Sequence, residues 1–264
     1  MPTAKVAVVT GANKGVGYHI AAQLVASRLF STVVLACRDP DRGMAAAQAV
    51  GGDFLPLTVG DPQSATALAD SIRAKYGRCD LLVNNAAIAF KGADPTPFEA
   101  QTKPTLDINF RGTEQVTEAL LPLLLESKEG GRIVNVASMA GKLRQLSPAL
   151  QAEFSSPSLT IPKLHELVGT FERDVASGVH AQKGWGRSNY GLSKLAVIAA
   201  TKVHAREHPS LRVNCCCPGY CDTDMSSHKG PRPPSEGAKN AVILATAQPC
   251  PTGAFYENER ESKW

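Results

Sequence analysis

The sequence predicts an α/β chain built on a parallel, doubly wound sheet, and three observations carry that expectation. Short apolar, β-branched runs alternate with segments of helical period along most of the 264 residues. The runs Val-Ala-Val-Val and Ile-Val-Asn-Val show almost no polar alternation, as strands buried on both faces do. The first run leads straight into a glycine-rich loop, Thr10-Gly11-Ala12-Asn13-Lys14-Gly15-Val16-Gly17, which opens a helix-period segment.

Taken in order, strands are expected at 6–10, 32–36, 53–58, 81–84, 132–137 and 212–217, with a last one near 254–256. Helices are expected at 15–27, 41–50, 64–76, 105–126, 190–208 and 235–245. The rhythm breaks once, between Ala137 and Tyr190. There Leu164, Leu167, Val168, Phe171 and Val175 follow helical spacing, with Thr160 as N-cap and Gly178 as stop. This is a helical insertion at about 141–187 in a single domain spanning 1–264. It serves either as scaffold or as a wall of a pocket.

Composition narrows the class. With 43% apolar and 20% charged residues the chain reads as soluble and globular, and no apolar run approaches the ~20 residues that cross a bilayer. Met-Pro-Thr-Ala-Lys runs directly into the first strand, so no secretory leader is expected and a cytoplasmic location is. The charge of +4 is dispersed, which argues against nucleic acid and suits an anionic cofactor. The seven cysteines (37, 79, 215, 216, 217, 221, 250) have no paired spacing and read as small buried hydrophobes in a reducing compartment. His204 and His208 stand four apart before Pro209 with no third ligand in view, so no metal is expected.

The glycine loop carries the first chemical signal. Gly11 permits a tight turn, and Gly15 and Gly17 allow close approach of backbone to a ligand. Amides at the helix start suit a pyrophosphate, which makes Gly11, Asn13, Lys14, Gly15, Val16 and Gly17 dinucleotide candidates. The second strand is followed by Cys37 and Arg38 where a site for the unphosphorylated ribose would place an acid. Arg38 can fork onto a 2′-phosphate with Lys14 as second cation, while Asp39, one residue past it, can cap the next turn. The expected cofactor is NADP(H). Thr58 and Val59 after the third strand, Asn85, Ala86 and Ala87 after the fourth, and Pro218, Gly219 and Thr223 after the sixth complete the cofactor set.

The second signal is Tyr190-Gly191-Leu192-Ser193-Lys194. Residues i and i+4 share a helix face, and a cation beside a phenol of pKa near ~10 favours phenolate, as a Tyr acid/base requires. Ser138, ending the fifth strand, can stabilise charge developing on a carbonyl oxygen. Asn109 is a polar residue on a largely apolar helix. Around these, Ala140, Gln145, Trp185, Tyr220 and Met225, with Ser138 and Tyr190, are the substrate candidates, Trp185 equally readable as a core anchor.

TGxxxGxG, Asn-Asn-Ala-Ala, Asn109, Ser138, YxxxK and Pro218-Gly219 followed by Thr223 stand in an order and spacing that resembles the short-chain dehydrogenase/reductase family over essentially the whole chain. Within it the chain looks most like the monomeric, NADPH-dependent carbonyl reductases. The strings Ala-Asp-Pro-Thr-Pro-Phe, Cys-Cys-Pro-Gly-Tyr and Thr-Asp-Met, Trp264, and the long gap between Ser138 and Tyr190 carry that likeness. The resemblance implies a Rossmann-type fold and hydride transfer from NADPH to ketones, aldehydes or quinones. In those roles Tyr190 donates the proton, Lys194 lowers the Tyr190 pKa and holds the ribose, Ser138 orients the carbonyl, and Asn109 anchors a water leading to Lys194. It also implies a monomer, because the insertion covers the surface other members use to pair. Ala87, Thr58, Tyr220 and Asp222 depart from the family pattern, so substrate preference is open. A reductase dedicated to one prostaglandin, steroid or alkaloid ketone, and a non-catalytic NADP(H) sensor, are the alternatives.

Overall fold

The computed structural model describes residues 5–264. Residues 1–4, the start of the stretch read as leading into the first strand, lie outside the described residues. The order is β1 (Val6–Thr10), α1 (Gly15–Ser27), β2 (Thr32–Cys37), α2 (Pro40–Val50), β3 (Asp53–Pro56), α3 (Pro62–Tyr76) and β4 (Leu81–Asn84). Then come α4 (Phe98–Leu106), a π-helical segment (Asp107–Arg111), α5 (Gly112–Leu125), β5 (Arg132–Val136) and two 3-10 turns, Met139–Gly141 and Leu143–Gln145. The chain continues with α6 (Pro148–Phe154), α7 (Ile161–Ala176), α8 (Asn189–Glu207), β6 (Arg212–Cys216), a 3-10 turn (Asp224–Ser226), α9 (Pro234–Thr246), β7 (Phe255–Glu257) and β8 (Arg260–Glu261).

One sheet of order β3-β2-β1-β4-β5-β6-β7-β8 runs through the molecule, parallel except where β8 returns against β7. Because strand side chains alternate, β1 sends Ala7 and Val9 to a core with α1 and α9, and Val6 and Val8 to one with α3 and α5. The three cysteines of β6 and its end split the same way, Cys216 to one face and Cys215 and Cys217 to the other. Burial pushes the Cys215 thiol up to about 12, so it behaves as an inert apolar group.

The insertion forms a further layer. Thr160 caps α7 by accepting from the Lys163 amide, Gly178 turns the chain at φ +71°, and Leu164, Leu167, Val168, Phe171 and Val175 are all buried. They pack with Phe154 and Trp185 against Leu192, Leu195, Ala199 and Val203 of α8. As a result α8 is buried on both sides, between sheet and insertion.

Four differences from the expected elements have physical reasons. The helix expected at 105–126 begins earlier, at Phe98, and continues through Pro104, whose missing N–H and ring normally end a helix. Strand β3 stops at Pro56, after which the Thr58 amide leaves the ladder to donate to Ser64 Oγ. Helix α6 is a single short run opened by Pro148 and anchored by Phe154, too brief to show periodicity. β8 is a two-residue return after Asn258 and Glu259, both with positive φ.

Phe171 is fully buried against Trp185, so Phe171→Ala is expected to lower stability by about 3–5 kcal/mol. Urea unfolding checks this; a loss under ~1 kcal/mol would mean that the insertion does not pack as described.

Candidate active site

The strand order reverses between β1 and β4, and a cleft of about 400 Å³ opens at that carboxyl edge. Side chains sew its floor together. The Thr10 hydroxyl accepts from the Asn85 and Ala86 amides at 3.0 Å each, and Asn85 Nδ2 donates to the Thr10 carbonyl at 2.9 Å. That closeness dictates glycine nearby. A Cβ on Gly17 would lie 2.3 Å from Asn85 Nδ2 and 2.7 Å from the Gly11 carbonyl, and Gly11 itself holds φ +63°. No side chain caps α1, whereas Asp39 caps α2 by accepting from the Arg42 amide at 3.0 Å. Asp39 is thus turned to its own helix and Arg42, and those bonds hold its carboxyl below the usual range.

Helix α8 delivers the chemistry. Ser188 caps it by accepting from the Gly191 amide, and its first turns carry Tyr190 and Lys194 to the cleft. The turn after Ser138 lies tight on this helix, since a Cβ on Gly141 would meet the Lys194 backbone at 2.6 Å. Ser138 Oγ accepts from the Ala140 amide, and its hydroxyl lies near enough to Tyr190 to oppose the upward shift of the phenol. Lys194 is 3% exposed, with Nζ donating to the Val136 carbonyl at 2.7 Å and lying 5.8 Å from the Tyr190 ring centre.

Here the electrostatics correct the expectation from sequence. Burial pushes the Tyr190 phenol up to about 12, with the Cys217 thiol adding and the Ser138 bond opposing. Burial also brings Lys194 down to about 8. Desolvation dominates both shifts, and the Lys194 ammonium uses one of its three donors on the Val136 carbonyl. Asn109 links two elements of the site. Its Oδ1 accepts from the Ile88 amide at 2.8 Å, and its Nδ2 donates to the Ile88 carbonyl at 2.9 Å and to Ser193 Oγ at 3.0 Å. The side chain joins the β4 loop to α8, with both Nδ2 donors used and one acceptor position of Oδ1 filled.

The cleft gathers Gly11, Asn13, Lys14, Gly15, Val16, Gly17, Asn85, Ala86, Ala87, Tyr190, Lys194, Pro218, Thr223 and Met225. Thr223 packs over Gly15. Lys14 is not free: its Nζ pairs with Asp224 at 2.5 Å. His228, at φ +58°, bridges Asp224 and Asp222, both of which raise its pKa. Asp224 and His228 line the cleft without having been singled out in the sequence; the Thr-Asp-Met string was the one available signal for Asp224. Arg38 sits exposed at the end of β2, its side chain without a hydrogen bond or ion pair to the described residues. Thr58, exposed, and Val59 lie past β3, and Gly219, at φ +81°, abuts the Arg232 guanidinium.

Two substrate candidates serve the scaffold instead. Trp185 is 5% exposed in the insertion core and donates to Asp174 at 2.8 Å. Gln145 braces the two 3-10 turns by donating to the Ala140 carbonyl at 2.7 Å and the Gly191 carbonyl at 3.3 Å. Ala140 itself is exposed outside the cleft lining, as is Tyr220. His204, paired in sequence with His208, contacts buried Glu114 at 2.8 Å, and among the described residues no cluster can hold a metal.

Lys194 yields a signed prediction. Its folded pKa lies below the unfolded value of ~10.4, so between pH 8 and 10 the unfolded chain binds more protons and stability rises with pH. Lys194→Met is expected to exceed the parent in stability near pH 7.5 by on the order of 3 kcal/mol, the advantage shrinking toward pH 10. Urea midpoints at both pH values check this; a pH-independent difference would contradict a depressed lysine.

Residues 5–150 and 174–233 match the family model described as short chain dehydrogenase. The unmatched span between them falls within α6 and α7, in the insertion. The chain is 43% identical to human "Carbonyl reductase [NADPH] 1", covering 98% of each sequence. The rat protein of that name is 39% identical over 98% of both. Among solved structures it resembles salutaridine reductase from Papaver somniferum, with TM-score 0.87 and 32% identity, covering 96% of this chain and 99% of that one. Menthone neomenthol reductase from Mentha piperita matches at TM-score 0.81 and 32% identity, with coverage of 96% and 98%. No helix of the described residues is long and apolar enough to cross a membrane. With this architecture, this order of site residues and relatives matched nearly end to end, the chain belongs to the short-chain dehydrogenase family.

Proposed function

We propose that this chain is an NADPH-dependent carbonyl reductase that converts ketones, aldehydes and quinones to alcohols. The observation that carries the reading is Tyr190 and a buried Lys194 brought by one helix to the floor of a glycine-walled cleft, with the Ser138 hydroxyl near enough to bear on the phenol. Near-complete coverage of relatives named for NADPH-dependent carbonyl reduction supports it. The chain acts as a cytoplasmic monomer, its insertion covering α4 and α8, and it takes small-molecule substrates, with no nucleic acid or membrane partner.

The residues present fit a dinucleotide phosphate. Gly11 and Gly17 pack too close to Asn85 and Ala86 to carry a side chain, which keeps the loop backbone bare at the cleft, α1 opens without a side-chain cap, and Arg38 stands free at the end of β2. Asn13, Val16, Asn85, Ala86, Ala87, Pro218, Gly219 and Thr223 complete the cofactor walls, with Thr58 and Val59 on the adenine side. NADPH, when bound, supplies the hydride. Tyr190, held neutral by burial, donates its phenolic proton to the carbonyl oxygen as negative charge develops there, and Ser138 fixes that oxygen by hydrogen bond. An alkoxide is far more basic than a phenolate, so the transfer runs downhill even from a phenol raised to about 12. Lys194 positions the nicotinamide ribose and, near its lowered pKa, can return the proton. Asn109 acts by holding Ile88 and Ser193 in place. Met225 forms the substrate edge of the cleft.

A reductase dedicated to one ketone is the second reading. It is favoured by the two similar solved structures, each named for reduction of particular compounds.

Loss of reduced-nicotinamide absorbance with a quinone, an aromatic aldehyde, an isatin-like diketone and a steroid ketone tests the proposal. Broad turnover with NADPH preferred over NADH is expected; NADH preference would overturn the cofactor assignment, and turnover of a single ketone would favour the second reading. Tyr190→Phe is expected to reduce kcat by about 10²–10⁴-fold with NADPH still bound, checked by fluorescence titration. Arg38→Ala is expected to weaken NADPH by about 10–100-fold and NADH by less than ~2-fold, since only one carries the 2′-phosphate.

A further inference from the structure

The insertion touches the π-helical segment Asp107–Arg111 at two points two helical turns apart on α7. His165 packs on Phe110 with ring centres 4.7 Å apart. Glu172 receives a forked pair from Arg111, whose Nη1 lies 2.9 Å from Oε1 and whose Nη2 lies 2.5 Å from Oε2. The same guanidinium reaches back to Asp107 at 2.6 Å. Asp107 and Arg111 are the first and last residues of the π turn, and Asn109 stands at its centre. All three charged groups are largely shielded, with Arg111 and Glu172 each 23% exposed.

A π turn is a rare departure from α-helical register and is held only where contacts fix it. A slip of one residue turns a side chain by about 100° about the helix axis, which would swing Asn109 away from Ile88 and Ser193. On the opposite side the turn is held by Gly112, where a Cβ would lie 2.7 Å from the Gly60 amide nitrogen. Glu172 is thus the charged anchor from outside the helix itself. A forked, charge-assisted pair of this kind fixes direction as well as distance.

We propose that Glu172 is a positioning residue: through Arg111 the insertion helix holds the π turn in the register that delivers Asn109 to Ile88 and Ser193. The insertion then does more than cover α8. It sets the junction between the cofactor-side loop after β4 and the helix carrying Tyr190 and Lys194. The link to turnover rests on the reductase reading above; the link from Glu172 to Ile88 does not.

Glu172→Gln tests it with two readouts. The first is hydrogen exchange of the Ile88 amide, which donates to Asn109 Oδ1. Exchange there is expected to accelerate by about 10-fold, while the amides of β1 and β4 exchange as in the parent. The second is kinetic: kcat is expected to fall by about 5–10-fold with carbonyl KM and NADPH Kd within ~2-fold, and the loss to vanish in an Asn109→Ala background. Unchanged exchange at Ile88, or acceleration spread evenly over the sheet, would overturn the proposal. So would a kcat loss of equal size in the Asn109→Ala background. If the parent turns over no carbonyl, the reductase reading fails, and Ile88 exchange alone decides the role of Glu172.

Discussion

The site depends on the burial of α8 between two apolar surfaces. One side of this helix meets the sheet through Val197 and Ile198 against Ala137, Cys215 and Cys217. The other meets the insertion through Leu192, Leu195, Ala199 and Val203. Lys194 is carried into that layer with a backbone carbonyl as its hydrogen-bond acceptor. An ammonium without a carboxylate partner is costly to desolvate, and the strain appears as a lowered pKa. The same burial keeps the Tyr190 proton in place. A phenol and an amine moved in opposite directions within one turn of helix form a site prepared to give a proton and recover it.

Around this helix the other elements act as braces. Thr10 and Asn85 lock the ends of β1 and β4 together and leave room only for glycine in the loop above. The turn after Ser138 is pressed onto the Lys194 backbone, with the Trp264 indole donating to the Gly141 carbonyl at 2.9 Å from the far side. Over the mouth lies a chain of exposed ion pairs, Lys14 to Asp224 to His228 to Asp222. Such pairs are weak in water, so a phosphate competing for Lys14 displaces little stability.

Much of this was legible in the chain because the relevant signals are local. Strands buried on both faces read as apolar runs, and β1, β2 and β4 fall within a residue of where those runs end. The glycine loop, Tyr190 and Lys194 are short-range patterns whose geometry follows from helix and turn. What the sequence could not reveal depends on side chains meeting across the fold. The Asn109 amide is engaged by Ile88, which is 21 residues away, and Lys14 by Asp224, which is 210 away. Neither distance leaves a periodicity. The upward shift of Tyr190 was hidden for a related reason: YxxxK reports that two groups share a face, but not that the face is dry. Trp185 read equally as pocket or core, and its indole bond to Asp174 decides for core.

With NADPH bound, Tyr190 would supply the proton to the carbonyl oxygen as the carbonyl carbon receives hydride. Turning over an aromatic aldehyde with NADPH carrying deuterium at both nicotinamide C4 positions, and weighing the alcohol by mass spectrometry, tests this step. An alcohol one mass unit heavier, deuterated at carbon, is expected, with loss of that product in Tyr190→Phe. Unlabelled alcohol, or labelled alcohol formed at an unchanged rate by the Phe variant, would contradict it.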